Sequence, residues 1–318
     1  MSSERSWVEI DLGAFQSNLI ELKKHFQANQ EFLQIVKADA YGHGAGEIAK
    51  AAIRQGAVYL GVANAEEGKL LRLQGIRIPI LILSPSLISE IPVILENDLS
   101  VSITELCFAR ALDLEAGLQK HKTNIHIKID SGMHRNGFDP EEFLMVSQEL
   151  KKLSNLHWEG IFSHYASSES DAMFSDSQTR CFQQVLDTLE VLPRYIHIAN
   201  SSAIIHHNPP WANLVRLGIL SYGVYTSVNQ LESMQLSPVM RFKSTISHIK
   251  DIRKGQGLGY NQAWTSAQDT RYAIIPVGYA DGYDFLLYNK AKVAIGGVLC
   301  PVIGRISMDM LCIDLSNC

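Results

Sequence analysis

The chain has 318 residues, of which 46% are hydrophobic and 19% charged, and its formal net charge is −5. This composition predicts a globular protein with a large apolar core, and the mild acidity excludes the basic excess typical of nucleic-acid binders. The charged N-terminus lacks a long apolar run and the five cysteines lack metal-ligand spacing, so we expect a cytoplasmic protein without a membrane segment or a metal site.

The first elements in chain order are a strand and a helix. Residues 6–12 alternate between apolar and polar like a strand, and Asp11 is placed to cap a helix with Phe15, Leu19, Leu22 and Phe26 on one face. Eight short apolar runs then recur with helical patterns between them: Phe32–Val36, Val58–Ala63, Pro79–Leu83, Leu99–Ile103, Asn124–Ile129, His157–Phe162, Tyr195–Ala199 and Val215–Leu220. Such apolar strands indicate a parallel α/β sheet covered on both faces, and eight units favour a (β/α)8 barrel of the TIM type over an open sheet.

The pattern changes after Tyr225. Four further apolar runs have no long helix between them: Phe242–Ile249, Tyr272–Val277, Lys292–Ile295 and Leu311–Leu315. They predict a mainly β C-terminal domain. We therefore expect a barrel domain over residues 1–230 and a β-domain over residues 231–318, with the strand at 6–12 packed against the β-domain.

The stretch from Ile35 to Gly46, IVKADAYGHGAG, places Lys37 at the carboxyl end of the first barrel strand. In barrels of this kind that rim carries the active site, whereas the opposite rim mainly serves stability. A buried lysine amine can lose its proton near neutral pH and act as a Schiff-base nucleophile. The alternative is a surface lysine beside a glycine turn, because glycine is common in strand-to-helix loops.

Other residues just past the barrel strands share this rim. They are Leu83 after the third strand, Arg135 after the fifth, His164 after the sixth, Ser201 after the seventh, and Arg216 with Gly218 on the eighth. Loops after the last two strands are a frequent phosphate site, and N–H groups near Ser201 and Gly218 can hold an anion. Singly, each polar residue also has an ordinary interpretation, as a helix cap, an ion-pair partner or a satisfied core histidine. Their shared rim favours a functional site.

Seven motifs, in order along the chain, resemble those of the bacterial alanine racemases. They are VKADAYGHGA around Lys37, KIDSGMHRNGF from Lys128 to Phe138, HYAS at His164, HIANSSA from His197, NLVRLGILSYG around Arg216, VGYADGY at Tyr279 and GRISMDM around Asp309. The series is far more specific than any one lysine–glycine loop. The resemblance implies a homodimeric isomerase that uses pyridoxal phosphate, has a barrel followed by a β-domain, and interconverts L-alanine and D-alanine for peptidoglycan.

The resemblance also implies which residues bind the cofactor. They are Lys37, Tyr41, Leu83, His164, Asn200, Ser201, Arg216, Gly218 and Ile219, of which Tyr41, Ser201, Gly218 and Ile219 hold the phosphate. Lys37 is implied as the covalent attachment point and Arg216 as the residue that faces the pyridine nitrogen. Because arginine keeps its proton, that nitrogen stays unprotonated and the cofactor is a weaker electron sink.

Racemisation needs a proton-transfer group on each face of the substrate. The resemblance implies Lys37 for one face and, for the other, the partner subunit's Tyr260, assisted by cationic His164 and Arg216. The family usually has glycine after this tyrosine, where this chain has Asn261. The implied substrate contacts are Arg135 and Met308 at the carboxylate, Tyr279 in the pocket wall and Asp309 in the loop, and Lys128 matches a lysine that some members carry in carbamylated form.

The chain departs from the family pattern at its C-terminus. It stops soon after SMDMLCIDLSNC, whereas the family's β-domain continues through further strands, so we expect a β-domain that is incomplete relative to the family. Such a domain would expose unpaired strand edges and remove dimer surface. Two alternatives stay open: a catalytically impaired pyridoxal-phosphate-binding protein of the same family, and a racemase for another small amino acid such as serine.

Overall fold

The computed structural model describes residues 5–317, except for the side chain of Asn229. These residues form two compact units, one from Asp11 to Val239 and one that combines the segment ending at Ile10 with the chain from Met240 onward. Among the described residues, no helix is both long enough and apolar enough to cross a membrane.

The first unit is built around an eight-stranded parallel sheet. Strand β1 (Ser6–Ile10) belongs to the second unit, and the barrel strands are β2 (Glu31–Ile35), β3 (Tyr59–Val62), β4 (Ile80–Ile82), β5 (Ser100–Ile103), β6 (Thr123–Lys128), β7 (Leu156–Phe162), β8 (Tyr195–His197) and β9 (Leu214–Leu217). Their order is β8-β7-β6-β5-β4-β3-β2-β9. At the seam between β8 and β9, the Arg216 N–H donates to the Ala199 carbonyl at 3.1 Å. The sheet is therefore a nearly closed barrel, which confirms the predicted fold.

Helices cover the outside of the barrel. They are α1 (Leu12–Lys23), α2 (Lys37–Gly42), α3 (Ala45–Arg54), α4 (Ala65–Leu73), α5 (Ile91–Glu96), α6 (Leu106–Leu118), α7 (Phe143–Leu150), α8 (Ala172–Asp187), α9 (Ala203–His206) and α10 (Val228–Ser233). The Asp11 carboxylate caps α1 by accepting the Ala14 N–H at 2.9 Å. Phe15, Leu19 and Leu22 are fully buried on one face of α1, as their spacing predicts.

The inside of the barrel is partly apolar and partly polar. The apolar side chains cluster around Leu33, Tyr59 and Leu214. Among them lie polar side chains that are at most 4% exposed, including His126, His197 and Arg216. Buried polar groups need hydrogen-bond partners, so this interior must be an organised network as well as a packed core.

The second unit is a β-domain. Its strands are β1, β10 (Met240–Ser244), β11 (His248–Ile252), β12 (Gly257–Leu258), β13 (Trp264–Thr265), β14 (Thr270–Ile275), β15 (Lys292–Ile295), β16 (Val298–Ile303) and β17 (Leu311–Asp314). β1 pairs antiparallel with β10, β12 pairs with β13, and the main sheet has the order β11-β14-β17-β16-β15. Ala273, Val302 and Ile313 form part of its core.

Two details of the β-domain differ from the sequence pattern. The run Phe242–Ile249 is not one strand, because its first part pairs with β1 and its second part pairs with β14. Strand β16 was not predicted from the sequence. It follows two glycines and contains Pro301, and a proline inside an apolar run argues against a strand.

Candidate active site

One cavity lies at the carboxyl ends of the barrel strands. Its volume is about 270 Å³, near the lower end of the range for small-molecule sites. Its lining includes Lys37, Tyr41, Leu83, Lys128, Arg135, His164, Asn200, Ser201, Arg216, Gly218 and Ile219. The structure therefore brings together, in one place, the barrel residues that were expected at the site.

Lys37 begins α2, which is not an ordinary helix. The four residues after Lys37, Ala38 to Tyr41, have φ values of 51°, 51°, 55° and 56°. This left-handed conformation costs a residue other than glycine roughly 1–2 kcal/mol. A run of four such residues can persist only where surrounding contacts fix it.

Several contacts fix this left-handed turn. The Gly44 N–H donates to the Asp39 carbonyl at 3.0 Å. The Nδ1 of His43 lies 2.9 Å from the Ala40 carbonyl and 3.1 Å from the Tyr41 carbonyl. Because carbonyl oxygens only accept, His43 carries its proton on Nδ1. Lys37 thus stands at the start of a strained but well-bonded turn.

On another side of the cavity, Tyr41, Ser201 and Gly218 form a small polar group. The Gly218 N–H donates to Ser201 Oγ at 2.5 Å. A Cβ at position 218 would lie 3.2 Å from Tyr41 Oη and 3.4 Å from Ser201 Oγ, so only glycine leaves that space open. The Gly218 N–H is taken by Ser201 Oγ, so the hydroxyls of Tyr41 and Ser201 beside the open space are the donors suited to an anion such as a phosphate.

Arg216, on β9, is the hydrogen-bonding centre of the cavity floor. It is 4% exposed. Its Nη1 donates to His197 Nδ1, and the two N–H groups of Nη2 are shared among three acceptors, the carbonyls of Ser163 and Ile198 and His164 Nδ1, with all four distances at 2.9 Å. Burial lowers the pKa of Arg216 to about 9. The guanidinium therefore keeps its charge at neutral pH.

The bonds of Arg216 determine where two histidines carry their protons. Arginine has no acceptor, so His164 Nδ1 and His197 Nδ1 both accept, and the ring protons lie on Nε2. Burial and the charge of Arg216 hold the pKa of each histidine well below its ordinary value. His164 is therefore neutral near neutral pH, and the expectation that it is a cationic neighbour of a catalytic tyrosine is wrong.

The polar chain continues from His197 into the barrel. His197 Nε2 lies 2.9 Å from His126 Nδ1, so it donates there. His126 Nε2 lies 3.9 Å from Glu159 Oε2, which also accepts the Tyr59 hydroxyl at 2.5 Å. The hydrogen bonds from Arg216 therefore run through His197 to His126 and end there, because 3.9 Å is too long for a hydrogen bond from His126 Nε2 to Glu159.

The loop after β6 carries Arg135 and is folded around one carboxylate. Asp130 accepts the backbone N–H groups of Gly132, Met133, His134 and Arg135 at 2.9–3.0 Å. Burial alone would raise the pKa of Asp130, but these four N–H donors outweigh it and hold the pKa below its ordinary value. The position of Arg135 therefore depends on an ionised Asp130.

Lys128 is the second lysine of the cavity. It is 5% exposed, and its Nζ lies 4.6 Å from the centre of the Phe162 ring. Burial, with the charges of Arg216 and Arg135, holds the pKa of Lys128 well below its ordinary value. Loss of the proton leaves a nucleophilic amine, which is the form that carbamylation requires.

The remaining expected residues lie in the second unit. Tyr279 is 47% exposed and Met308 59% exposed. Their loops are joined because the Tyr279 N–H donates to the Ser307 carbonyl at 3.1 Å. The two loops can come this close only because residue 278 is glycine, since a Cβ there would lie 2.3 Å from the carbonyl oxygens of both Ser307 and Met308. Asp309 follows in the same turn.

Tyr260 lies beside this turn. It is 69% exposed, and it lines a cavity of about 390 Å³ with Ser307 and Met310. Asn261 has φ 56°, a left-handed value that asparagine adopts more readily than most residues. Asn261 therefore takes a conformation that glycine would also adopt. The structure groups Tyr260 with the turn that carries Met308 and Asp309, and does not place this group in the lining of the barrel cavity.

Comparison with protein families decides what these two units are. The family model of the alanine racemase N-terminal domain matches residues 10–226, and that of the alanine racemase C-terminal domain matches residues 239–318. The chain belongs to the alanine racemase family.

Individual alanine racemases match over almost the whole chain. That of Desulfovibrio desulfuricans is 37% identical over 315 residues, which are 98% of this chain and 85% of the relative. The alanine racemase structure of Clostridium difficile 630 matches with a TM-score of 0.94 and 34% identity, covering 100% of this chain and 84% of that one. The structure from Bacillus anthracis with bound L-Ala-P matches with a TM-score of 0.90 and 32% identity, covering 99% and 83%.

Membership of the alanine racemase family corrects the expectation of an incomplete β-domain. The family's C-terminal domain is present, because its model matches residues 239–318 and five strands of this region pair in one sheet. The main sheet has its own buried core, with Ala273 and Ile313 fully buried. The alternative of a catalytically impaired member of the family stays a prediction.

Replacing Arg216 with lysine is expected to lower the free energy of unfolding by about 2–4 kcal/mol, since each buried acceptor left without a donor costs about 1–3 kcal/mol. A single ammonium cannot reach His197 Nδ1, His164 Nδ1 and two carbonyls together. Urea denaturation of the two proteins measures the difference. A loss below about 0.5 kcal/mol, the size of an ordinary surface effect, would show that Arg216 is not a structural centre of the barrel.

Replacing Asp130 with asparagine is expected to speed tryptic cleavage after Arg135 by about 10-fold, because an amide has one acceptor oxygen where the loop uses two. The pKa of Asp130 is lower in the folded protein than in the unfolded chain, so its stabilisation is complete above about pH 4 and is lost as the pH falls through the folded value. Unfolding curves of both proteins should therefore differ most at neutral pH and converge in acid. Equal cleavage rates at neutral pH would contradict this role.

Several residues of this alanine racemase fold were missed by the sequence reasoning. At the cavity they are Ile35, Phe162, Glu169 and Ser202, and behind it His126 and His197. The sequence does carry a signal for His126. In the segment HIKID, His126, Lys128 and Asp130 are alternate residues, so they lie on the same side of an extended chain. Glu169 accepts the hydroxyls of Ser202 and Thr226 at 2.5 Å, a contact that no sequence spacing marks.

Proposed function

We propose that this protein is a cytoplasmic, homodimeric alanine racemase that uses pyridoxal phosphate to interconvert L-alanine and D-alanine for peptidoglycan. One observation carries the proposal: a single cavity at the barrel rim combines Lys37, the anion-binding group around Gly218, and the buried Arg216. The similarity to alanine racemases over almost the whole of this chain, one of them seen with L-Ala-P, supports the choice of substrate.

The residues of the cavity fit pyridoxal phosphate. The hydroxyls of Tyr41 and Ser201 offer donors to a phosphate, and the absent Cβ of Gly218 leaves room for it. Arg216 has bonds from Nη1 and Nη2 to described residues, and none of these uses its Nε–H. An acceptor nitrogen in the cavity can accept a hydrogen bond from this Nε–H, and that nitrogen stays unprotonated because the guanidinium keeps its proton at neutral pH.

The bound cofactor supplies an electron sink that weakens the α-C–H bond of an attached amino acid. Lys37 would hold the cofactor covalently, and its amine would take or return the α-proton on one face. His164 is neutral and carries its proton on Nε2, so it donates a hydrogen bond rather than a charge to a nearby phenol or phenolate. Of His164 and Arg216, only Arg216 is charged at neutral pH.

A second proton-transfer group is needed on the opposite face. We assign it to the partner subunit's Tyr260, with the partner's Met308 and Asp309 in the adjoining turn and Tyr279 in the wall that limits the substrate side chain. The exposure of Tyr260 on its own unit supports this assignment, since 69% of the residue is available to another chain. Arg135 is assigned to the substrate carboxylate, because a guanidinium binds a carboxylate through paired hydrogen bonds.

The experiment is proton exchange in heavy water. Purified protein with pyridoxal phosphate should convert L-alanine to D-alanine and place deuterium at Cα of both enantiomers. Serine and larger amino acids should react more slowly, because the Tyr279 wall favours a small side chain. Absence of both D-alanine and Cα deuterium would refute the proposal, and faster turnover of serine would overturn the choice of substrate.

A further inference from the structure

Glu67 lies on α4, among the helices outside the barrel, and is not part of the cavity lining. Its carboxylate nevertheless reaches the loop that carries the cavity lysine. Glu67 Oε1 accepts the Ala38 N–H at 2.9 Å, and Oε2 accepts the Ala63 N–H at 2.7 Å. Ala38 is 29 positions away in sequence, so this is a contact between separate barrel units.

The Ala38 N–H belongs to the peptide group that joins Lys37 to the left-handed turn. Holding this N–H fixes the plane of that peptide and hence the direction in which the Lys37 side chain projects from the backbone. Ala38 itself is exposed, so water would compete for its N–H if the carboxylate moved away. Ala63 directly follows β3, and the two bonds together tie the lysine peptide to the end of the neighbouring strand.

We propose that Glu67 is a positioning residue for Lys37: its carboxylate holds the first peptide of the left-handed turn, so that the amine points into the cavity. The inference rests on the proposed function only in taking Lys37 as the nucleophile. Glu67 touches neither the cavity nor a reacting atom, so its effect passes through the backbone.

The competing interpretation is that Glu67 only stabilises the start of its own helix. Asn64 caps α4 by accepting the Glu67 N–H at 3.0 Å, and Asn-x-x-Glu resembles the capping box, in which the glutamate returns to the N–H of the cap residue. Here the carboxylate instead binds the N–H of Ala63, one residue earlier, and uses its other oxygen for Ala38. A helix cap has no need of the second bond.

The chain offers variants that separate the two interpretations. Glu67→Ala removes both acceptors, while Glu67→Gln keeps one acceptor oxygen. A cavity of about 160 Å³ beside Glu67, lined also by Val36, Asp39 and Leu70, leaves room for either side chain. Glu66→Ala is the matched control for charge, because Glu66 is exposed and its partner is Lys69 on the same helix. Asn64→Ala weakens the helix start and leaves Glu67 in place.

The first measurement is amide hydrogen exchange in protein without added cofactor. Glu67→Ala should speed exchange at Ala38 by about 10-fold or more, because a hydrogen bond to a charged acceptor is lost. Glu67→Gln should give a smaller increase, and Glu66→Ala and Asn64→Ala should leave exchange at Ala38 unchanged. Unchanged exchange in Glu67→Ala, or an equal increase in Asn64→Ala, would overturn the proposal.

The second measurement is the rate at which pyridoxal phosphate becomes covalently attached to Lys37. Each protein is mixed with pyridoxal phosphate, treated with borohydride and digested, and the modified fraction of Lys37 is followed over time by mass spectrometry. Capture should be about 10-fold slower in Glu67→Ala, intermediate in Glu67→Gln and normal in both controls. Normal capture in Glu67→Ala would also overturn the proposal. If the unmodified protein fails to racemise alanine, the proposed function fails instead, and exchange at Ala38 still decides the role of Glu67.

Discussion

Replacing Lys37 with alanine is expected to reduce racemisation by about 10⁴-fold or more, because the change removes the residue that we propose as both the covalent attachment point and a proton-transfer group. The rest of the cavity should survive, since Arg216 and the group around Gly218 make their bonds without Lys37. The rate of D-alanine formation from L-alanine measures the effect. Borohydride treatment in the presence of pyridoxal phosphate should no longer label this position.

Lys50→Ala is the matched control for this substitution. Lys50 lies on α3, where it pairs with Glu47 at 2.8 Å on the surface, so its loss should leave turnover unchanged. If Lys37→Ala kept more than a tenth of the activity, Lys37 would not be the nucleophile. Lys128, the other lysine of the cavity, would then be the residue to test by the same labelling.

Replacing Tyr260 with phenylalanine is expected to slow racemisation by about 10²–10⁴-fold, the range for loss of one general acid or base. The hydroxyl is the only group removed, so the cofactor should still attach to Lys37. Because one face of the substrate keeps its base, only one enantiomer of alanine should continue to exchange its α-proton with heavy water. Tyr288→Phe is the control, since Tyr288 packs against Phe285 in the same unit and is not assigned to the site.

A mixing experiment tests whether Tyr260 acts across subunits. Lys37→Ala and Tyr260→Phe proteins should each have little activity, but a mixed dimer of the proposed kind would have one site that combines Lys37 of one subunit with Tyr260 of the other. Random exchange of subunits should therefore restore about a quarter of the normal activity. If the mixture stays inactive although subunit exchange is shown, Lys37 and Tyr260 act within one chain and the shared site is wrong.

The barrel could be predicted because its local signals agree. Each barrel strand is a short apolar run between helical patterns, and Asp11 caps α1 where the sequence places a cap. The sites at the rim followed from position alone: Lys37 and Arg216 stand where barrel strands end. Their roles did not follow from position, and only the resemblance supplied them.

What the sequence could not predict depends on contacts between distant residues. The left-handed turn after Lys37 contains alanines, which ordinarily avoid that conformation, and contacts from His43 and Glu67 hold it. The neutral state of His164 depends on burial beside Arg216, 52 positions away. Strands β10 and β11 look continuous in sequence, and only their different partners separate them.

Arg216 also limits how this enzyme scaffold can be altered. The side chain that we assign to the cofactor nitrogen is the same one that donates to Ser163 and Ile198, just past the ends of β7 and β8, from its own place on β9. An acidic residue there would make the cofactor a stronger electron sink, but it would also leave these carbonyls without donors and put a second anion into an interior that already holds Glu159. Engineering a new reaction at this position would therefore first require a redesigned seam between the last strands of the barrel.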